Sequence, residues 1–127
     1  MIRVVRLGTP RHADEGVRIG TVRRPPRGVP KEEYASRDYY DTWLPELAPS
    51  PDLMKLGKAV DSREDWEAFT KKYRSEMAAP ERRRLLDLLA TLSHDTHFSV
   101  GCYCEVEARC HRSLLRELLE ERGAEVA

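Results

Sequence analysis

Apolar positions along this chain change period several times, and each change marks an element. Residues 2–7 form a β-branched apolar run that predicts a strand, stopped by Gly8-Thr9-Pro10. Residues 11–16 read as polar loop. Residues 17–22 (Val-Arg-Ile-Gly-Thr-Val) alternate and predict a second strand, with Val17 and Ile19 on one face. Arg23-Arg-Pro-Pro-Arg-Gly28 follows directly. Its two prolines forbid both a central ladder and a helix interior, so it predicts a stiff loop at the end of that strand. Pro30 opens a short helical segment through Tyr34. Residues 38–47 carry Tyr39, Tyr40, Trp43, Leu44 and Leu47, which favours an extended segment, kept to an edge by Pro45.

The rest of the chain is mostly helical in pattern. Ser50-Pro51 is an N-cap with proline at the first helical position, and Gly57 closes the helix that carries Leu53, Met54 and Leu56. Ser62 followed by Asp65 resembles a capping box. Trp66, Phe69, Tyr73 and Met77 then fall on one face of about four turns, the spacing of a core stripe. Pro80 starts a third helix with Leu85, Leu86, Leu88, Leu89 and Leu92. Arg82, Arg83 and Arg84 sit in its first turns, against the macrodipole. Residues 98–104 predict a strand with Phe98, Val100, Cys102 and Cys104 on one face. Leu114, Leu115, Leu118 and Leu119 line a last helix that Gly123 closes. Helices alternating with strands indicate an α/β fold: a single compact domain over residues 1–127, with a small, mostly parallel sheet flanked by helices.

Composition narrows the possibilities. The 127 residues are 40% hydrophobic and 35% charged with zero net charge, so bulk electrostatics does not indicate nucleic-acid binding, although a local basic patch would still permit it. No apolar run approaches the ~20 residues of a membrane span, and the N-terminus lacks a signal-peptide core. A cytoplasmic location is the expectation. The three cysteines are clustered at 102, 104 and 110, which fits reduced thiols, a metal site or a redox pair better than a secreted disulfide framework.

Candidate chemistry concentrates in that stretch. Cys110 stands beside Arg109, His111 and Arg112 where a helix begins, and a helix N-terminus with adjacent cations favours thiolates and anions. The prolyl loop supplies further guanidinium forks, Arg23 and Arg27, after another strand. In an open parallel sheet, loops at the carboxyl ends of strands share a pole and bind ligands there. The leading expectation is a small anionic or phosphate-bearing ligand, a nucleotide or nucleic-acid end. Arg23, Arg27, Arg109 and Arg112 would bind it, with Cys110 as nucleophile and His111 as base or orienter if there is catalysis. No cofactor is required by this reading. The alternative is a zinc site on Cys102, Cys104, Cys110 and His111, or a purely structural interaction module; a redox thiol pair is a third. A Cys-x5-Arg phosphatase loop does not fit at Cys102 or Cys104, since Ala108 and Cys110 stand where the arginine would be.

Several segments resemble the family known as domain of unknown function 488, which includes the YeaO-like proteins. Arg23…Pro26-Arg27-Gly28 is similar to its Asp-Arg-Leu-Trp-Pro-Arg-Gly loop, with Val22 and Pro25 in place of the aspartate and tryptophan. Asp41-Thr-Trp-Leu-Pro-Glu-Leu-Ala-Pro-Ser50 resembles its Trp-Leu-x-Glu-Leu-Ala-Pro-Ser segment. Trp66-x2-Phe69-x3-Tyr73-x2-Glu76 resembles its aromatic helix, and Cys102-x7-Cys110-His111-Arg112 its Cys…Cys-His-Arg ending. Cys104 often has no cysteine counterpart there. The resemblance implies a compact α/β domain and no established reaction.

Overall fold

Four short runs become strands, and all of them point the same way. The structure, a computed structural model, describes residues 1–104 and 107–127, and of Ala108 the backbone only. The strands are β1 (Ile2–Arg6), β2 (Val17–Gly20), β3 (Thr42–Trp43) and β4 (Phe98–Cys102), in the spatial order β1-β4-β2-β3. Every pairing is parallel, with Val4 and Ile19 both opposite Val100. The strand formed last in sequence is therefore central. All five residues of β4 are buried, as expected for a strand covered on both faces.

The helices are α1 (Pro51–Lys58), α2 (Arg63–Met77), α3 (Pro80–Leu92) and α4 (His111–Glu121). The expected caps are in place: Ser50 Oγ accepts from the Leu53 amide and Ser62 Oγ from the Asp65 amide. Buried side chains of all four helices join Ile2, Phe98 and Val100 in one core, including Phe69, Tyr73 and Met77 of the aromatic stripe. This is the compact α/β fold that the pattern indicates. Arg82, in the first turn of α3, donates from Nε to the Glu46 carbonyl at 2.9 Å, which accounts for a cation there. Arg83 and Arg84 stay exposed.

Three segments depart from the pattern. Residues 38–47 yield only the two-residue edge strand β3, and Tyr34, Tyr39 and Tyr40 instead pack into a second, smaller core with Leu7, Val22, Cys102 and Cys110. The last strand ends at Cys102, so Cys104 lies beyond it. The alternation in residues 17–22 sends Arg18 to a polar face, yet its side chain is 0% exposed. Arg18 donates from Nε to Glu15 Oε1 at 2.6 Å and from Nη2 to Oε2 at 3.0 Å. Ser99 Oγ and the His12 amide complete the carboxylate, and the Thr9 and Asp38 carbonyls accept from Nη1. Burial pushes the Glu15 carboxyl up, but these donors outweigh it and hold its pKa at about 2. The chain reaches this network through Gly16 at φ 72°, where a Cβ would stand 2.0 Å from the His97 carbonyl oxygen.

Candidate functional site

Because the sheet is wholly parallel, the ends of β2 and β4 and the start of α4 meet at one pole. Thr21 continues the ladder past β2, its amide donating to the Gly101 carbonyl at 3.0 Å. At this pole the Thr21 carbonyl accepts from His111 Nε2 at 2.8 Å. A carbonyl can only accept, so Nε2 carries the proton and Nδ1 keeps its lone pair. Nδ1 lies 3.8 Å from Cys110 Sγ. The ring packs against Tyr73, with centroids 5.8 Å apart. Burial pushes the imidazole pKa down, and the bond to Thr21 only partly restores it, so His111 is neutral near pH 7.

Cys110 is the N-cap residue of α4, and His111 and Arg112 open the helix. Cys102 and Cys110 are each 2% exposed and His111 7%. The ligating atoms of these three residues all lie within 4.8 Å of one another. Cys104 differs: its residue is exposed, while its thiol still interacts with both buried ones. The thiols of Cys102 and Cys110, and then the positive charge of Arg112, hold the Cys104 thiol down. The Cys102 thiol, leaning on Cys104, is pushed up to about 12, and that of Cys110 is raised further by Cys102 and Cys104. The polar loop expected between Cys104 and Cys110 includes Glu105 and Val106, which lie outside the described residues.

The arginines divide into two kinds. Arg112 is 4% exposed; one Nη2 bond of 2.7 Å reaches the Cys104 carbonyl, and its buried Nε–H has no acceptor among the described residues. Arg23 is half-buried, its Nε and Nη2 donating to the Pro49 and Ala48 carbonyls at 3.0 and 3.1 Å, and its charge is felt at His111. Arg27 and Arg109 are exposed and make no side-chain hydrogen bond or ion pair among the described residues. Histidines 94 and 97 stand at the other end of β4, where His94 Nε2 bonds the Gly123 carbonyl at 2.8 Å.

The sequence model of a family described as the active DUF488-N3 subclade matches residues 2–123. The chain belongs to this family. No curated protein and no solved structure matches it.

In this DUF488-N3 domain the segments named above by resemblance are fastened to one another around His111. Trp43 Nε1 donates to the Val22 carbonyl at 2.7 Å, and Arg23 clasps the Ala48 and Pro49 carbonyls. Tyr73 O–H donates to the Leu47 carbonyl at 2.7 Å, and Glu76 accepts from the amide and hydroxyl of Ser50. Three contributors to the site have no place among the expected residues. The Thr21 carbonyl fixes the imidazole, and a backbone oxygen leaves no mark in a sequence. Tyr103 ties its hydroxyl to the Arg24 carbonyl at 2.9 Å, pinning the prolyl loop; its position between two cysteines was the available signal. Tyr40 packs beside Cys102 and Cys110, and its buried hydroxyl has no partner among the described residues.

Proposed function

We propose that the carboxyl pole of this DUF488-N3 domain binds a small anionic, phosphate-bearing ligand at the start of α4, next to a reactive thiol. A nucleotide or a nucleic-acid end fits this description. The observation that carries the reading is the Arg112 Nε–H, buried and without an acceptor among the described residues, at the second position of a helix. An unsatisfied buried donor on a charged group costs roughly 1–3 kcal/mol or more, and an anion in that place relieves it. The open end of α4 adds backbone N–H groups and a favourable dipole. Arg23 supplies a second guanidinium near His111, while Arg27 and Arg109 are free to meet the outer parts of the ligand.

Thiol chemistry follows from exposure. Cys110, with His111 Nδ1 beside it, is the pair that sequence reasoning favours, but its sulfur is buried. Cys104 is the exposed thiol of the three, so an external ligand meets it first, with Cys110 and His111 behind. The word "active" in the family's description supports a reacting site rather than a purely structural one. Inorganic phosphate and a nucleoside monophosphate should both shift the Arg112 Nε–H and His111 resonances and slow alkylation of Cys104 by iodoacetamide. Arg112→Lys should weaken both effects by about tenfold or more. Unchanged resonances and alkylation rates at high phosphate would remove this reading.

A further inference from the structure

The same pole offers a second kind of occupant, through different atoms. We infer that Cys102, Cys104, Cys110 and His111 hold one thiophilic divalent cation of the zinc class. This goes beyond the anion reading, which places its ligand on Arg112 Nε and the helix end and treats Cys104 as a free thiol; here the three sulfurs and His111 Nδ1 are metal donors instead.

Four features carry the inference. The donors suit the ion: thiolate and imidazole select zinc over calcium or magnesium, and the cluster contains no carboxylate among the described residues. Their spacing suits it as well. Zinc–sulfur bonds of about 2.3 Å and zinc–nitrogen bonds of about 2.0–2.1 Å in a tetrahedron place neighbouring donors roughly 3.5–3.8 Å apart. Cys110 Sγ and His111 Nδ1 are 3.8 Å apart, and Cys102 completes a triad within 4.8 Å. The imidazole is already oriented as a ligand: the outer Nε2–H is committed to a backbone carbonyl and Nδ1 faces the sulfurs, the arrangement by which proteins fix metal-binding histidines.

The fourth feature is the charge around the site. Three thiolates on a divalent ion carry a net charge of −1, and Arg112 and Arg23 stand near enough to offset it. Arg112 also holds the Cys104 carbonyl at 2.7 Å, which ties the backbone of the exposed fourth donor to the start of α4; its thiol is not one of the three donors within 4.8 Å and would close on the ion. Binding releases the thiol protons, so affinity rises with pH.

The test uses the full chain kept reduced, purified without an affinity tag and without added metal. Metal analysis should find one equivalent of zinc. Cobalt exchanged into the protein should give sulfur-to-cobalt charge-transfer bands in the near ultraviolet and the visible bands of a tetrahedral ion. Cys102→Ser disturbs a buried position, so Cys104→Ser, at an exposed one, is the deciding variant: it should keep the fold and lose at least about tenfold in zinc affinity. Cys104→Ser should still shift the Arg112 Nε–H resonance with phosphate while losing zinc affinity, which separates failure of this inference from failure of the anion reading. Three freely titrating thiols in the reduced native protein, with no protection by added zinc and no cobalt charge-transfer band, would overturn it.

Discussion

At the scale of single residues, the position with most at stake is Arg18. Its guanidinium is wholly enclosed and every contact it makes is to Glu15 or to a backbone carbonyl. Arg18→Met would leave the Glu15 carboxylate buried beside Ser99 and the His12 amide with its countercharge gone. Urea denaturation should register a loss of about 3–5 kcal/mol. Pairing it with Glu15→Gln should cost clearly less than the two single changes added together, because both belong to one network. The residue could not be read from sequence as a core group. Alternation marks it as the solvent side of β2, and that inference holds for a sheet with one wet face. Here residues 7–16 and 34–41 cover the second face, and a charged pair takes the place of an apolar layer.

At the scale of elements, the legible features were those with local causes. Ser50, Ser62 and the prolines at 51 and 80 start helices because capping and fixed φ act within one turn, and those helices begin where the residues place them. The stripe through Phe69, Tyr73 and Met77 is core for the same reason. What joins the elements was not legible. Glu76 near the end of α2 accepts from the Ser50 amide at 2.9 Å and from its hydroxyl, anchoring the start of α1. Glu76→Ala should lower stability by about 1–3 kcal/mol. It should also loosen the neighbouring Ala48 and Pro49 carbonyls that hold Arg23. Calorimetric melting reads the first effect, and weaker protection of Cys104 by phosphate reads the second. The tyrosines at 39 and 40 misled in the opposite direction: the composition of residues 38–47 favours a strand, but only Thr42–Trp43 pair, and the two rings pack with Tyr34 in a small core instead.

At the scale of the whole molecule, acid should act through Glu15. Its folded pKa of about 2 lies below the ordinary 4.5, so it contributes stability at pH above about 4.5. That contribution is lost as the pH falls from about 4.5 toward about 2. The network ties β2 and β4 to the Thr9 and Asp38 loops, so the loss should appear as one cooperative shift of the melting temperature. Glu15→Gln should flatten that part of the pH profile, and an unchanged profile would assign the acid limb to other carboxylates. The pole was legible in outline because a parallel sheet puts the ends of its strands together, and the clustered cysteines pointed there. The depth of Cys110 was not, since burial there depends on what the tyrosines and Leu7 do elsewhere in the chain. One consequence lies in the Thr21 carbonyl. No side-chain substitution at position 21 deletes that oxygen; only a slip of β2 against β4 moves it away from the ring. The tautomer of His111 is thus inherited from strand registration. Substitutions in β2 that keep its pairing with β4 leave that oxygen in place, while a single insertion there would move it.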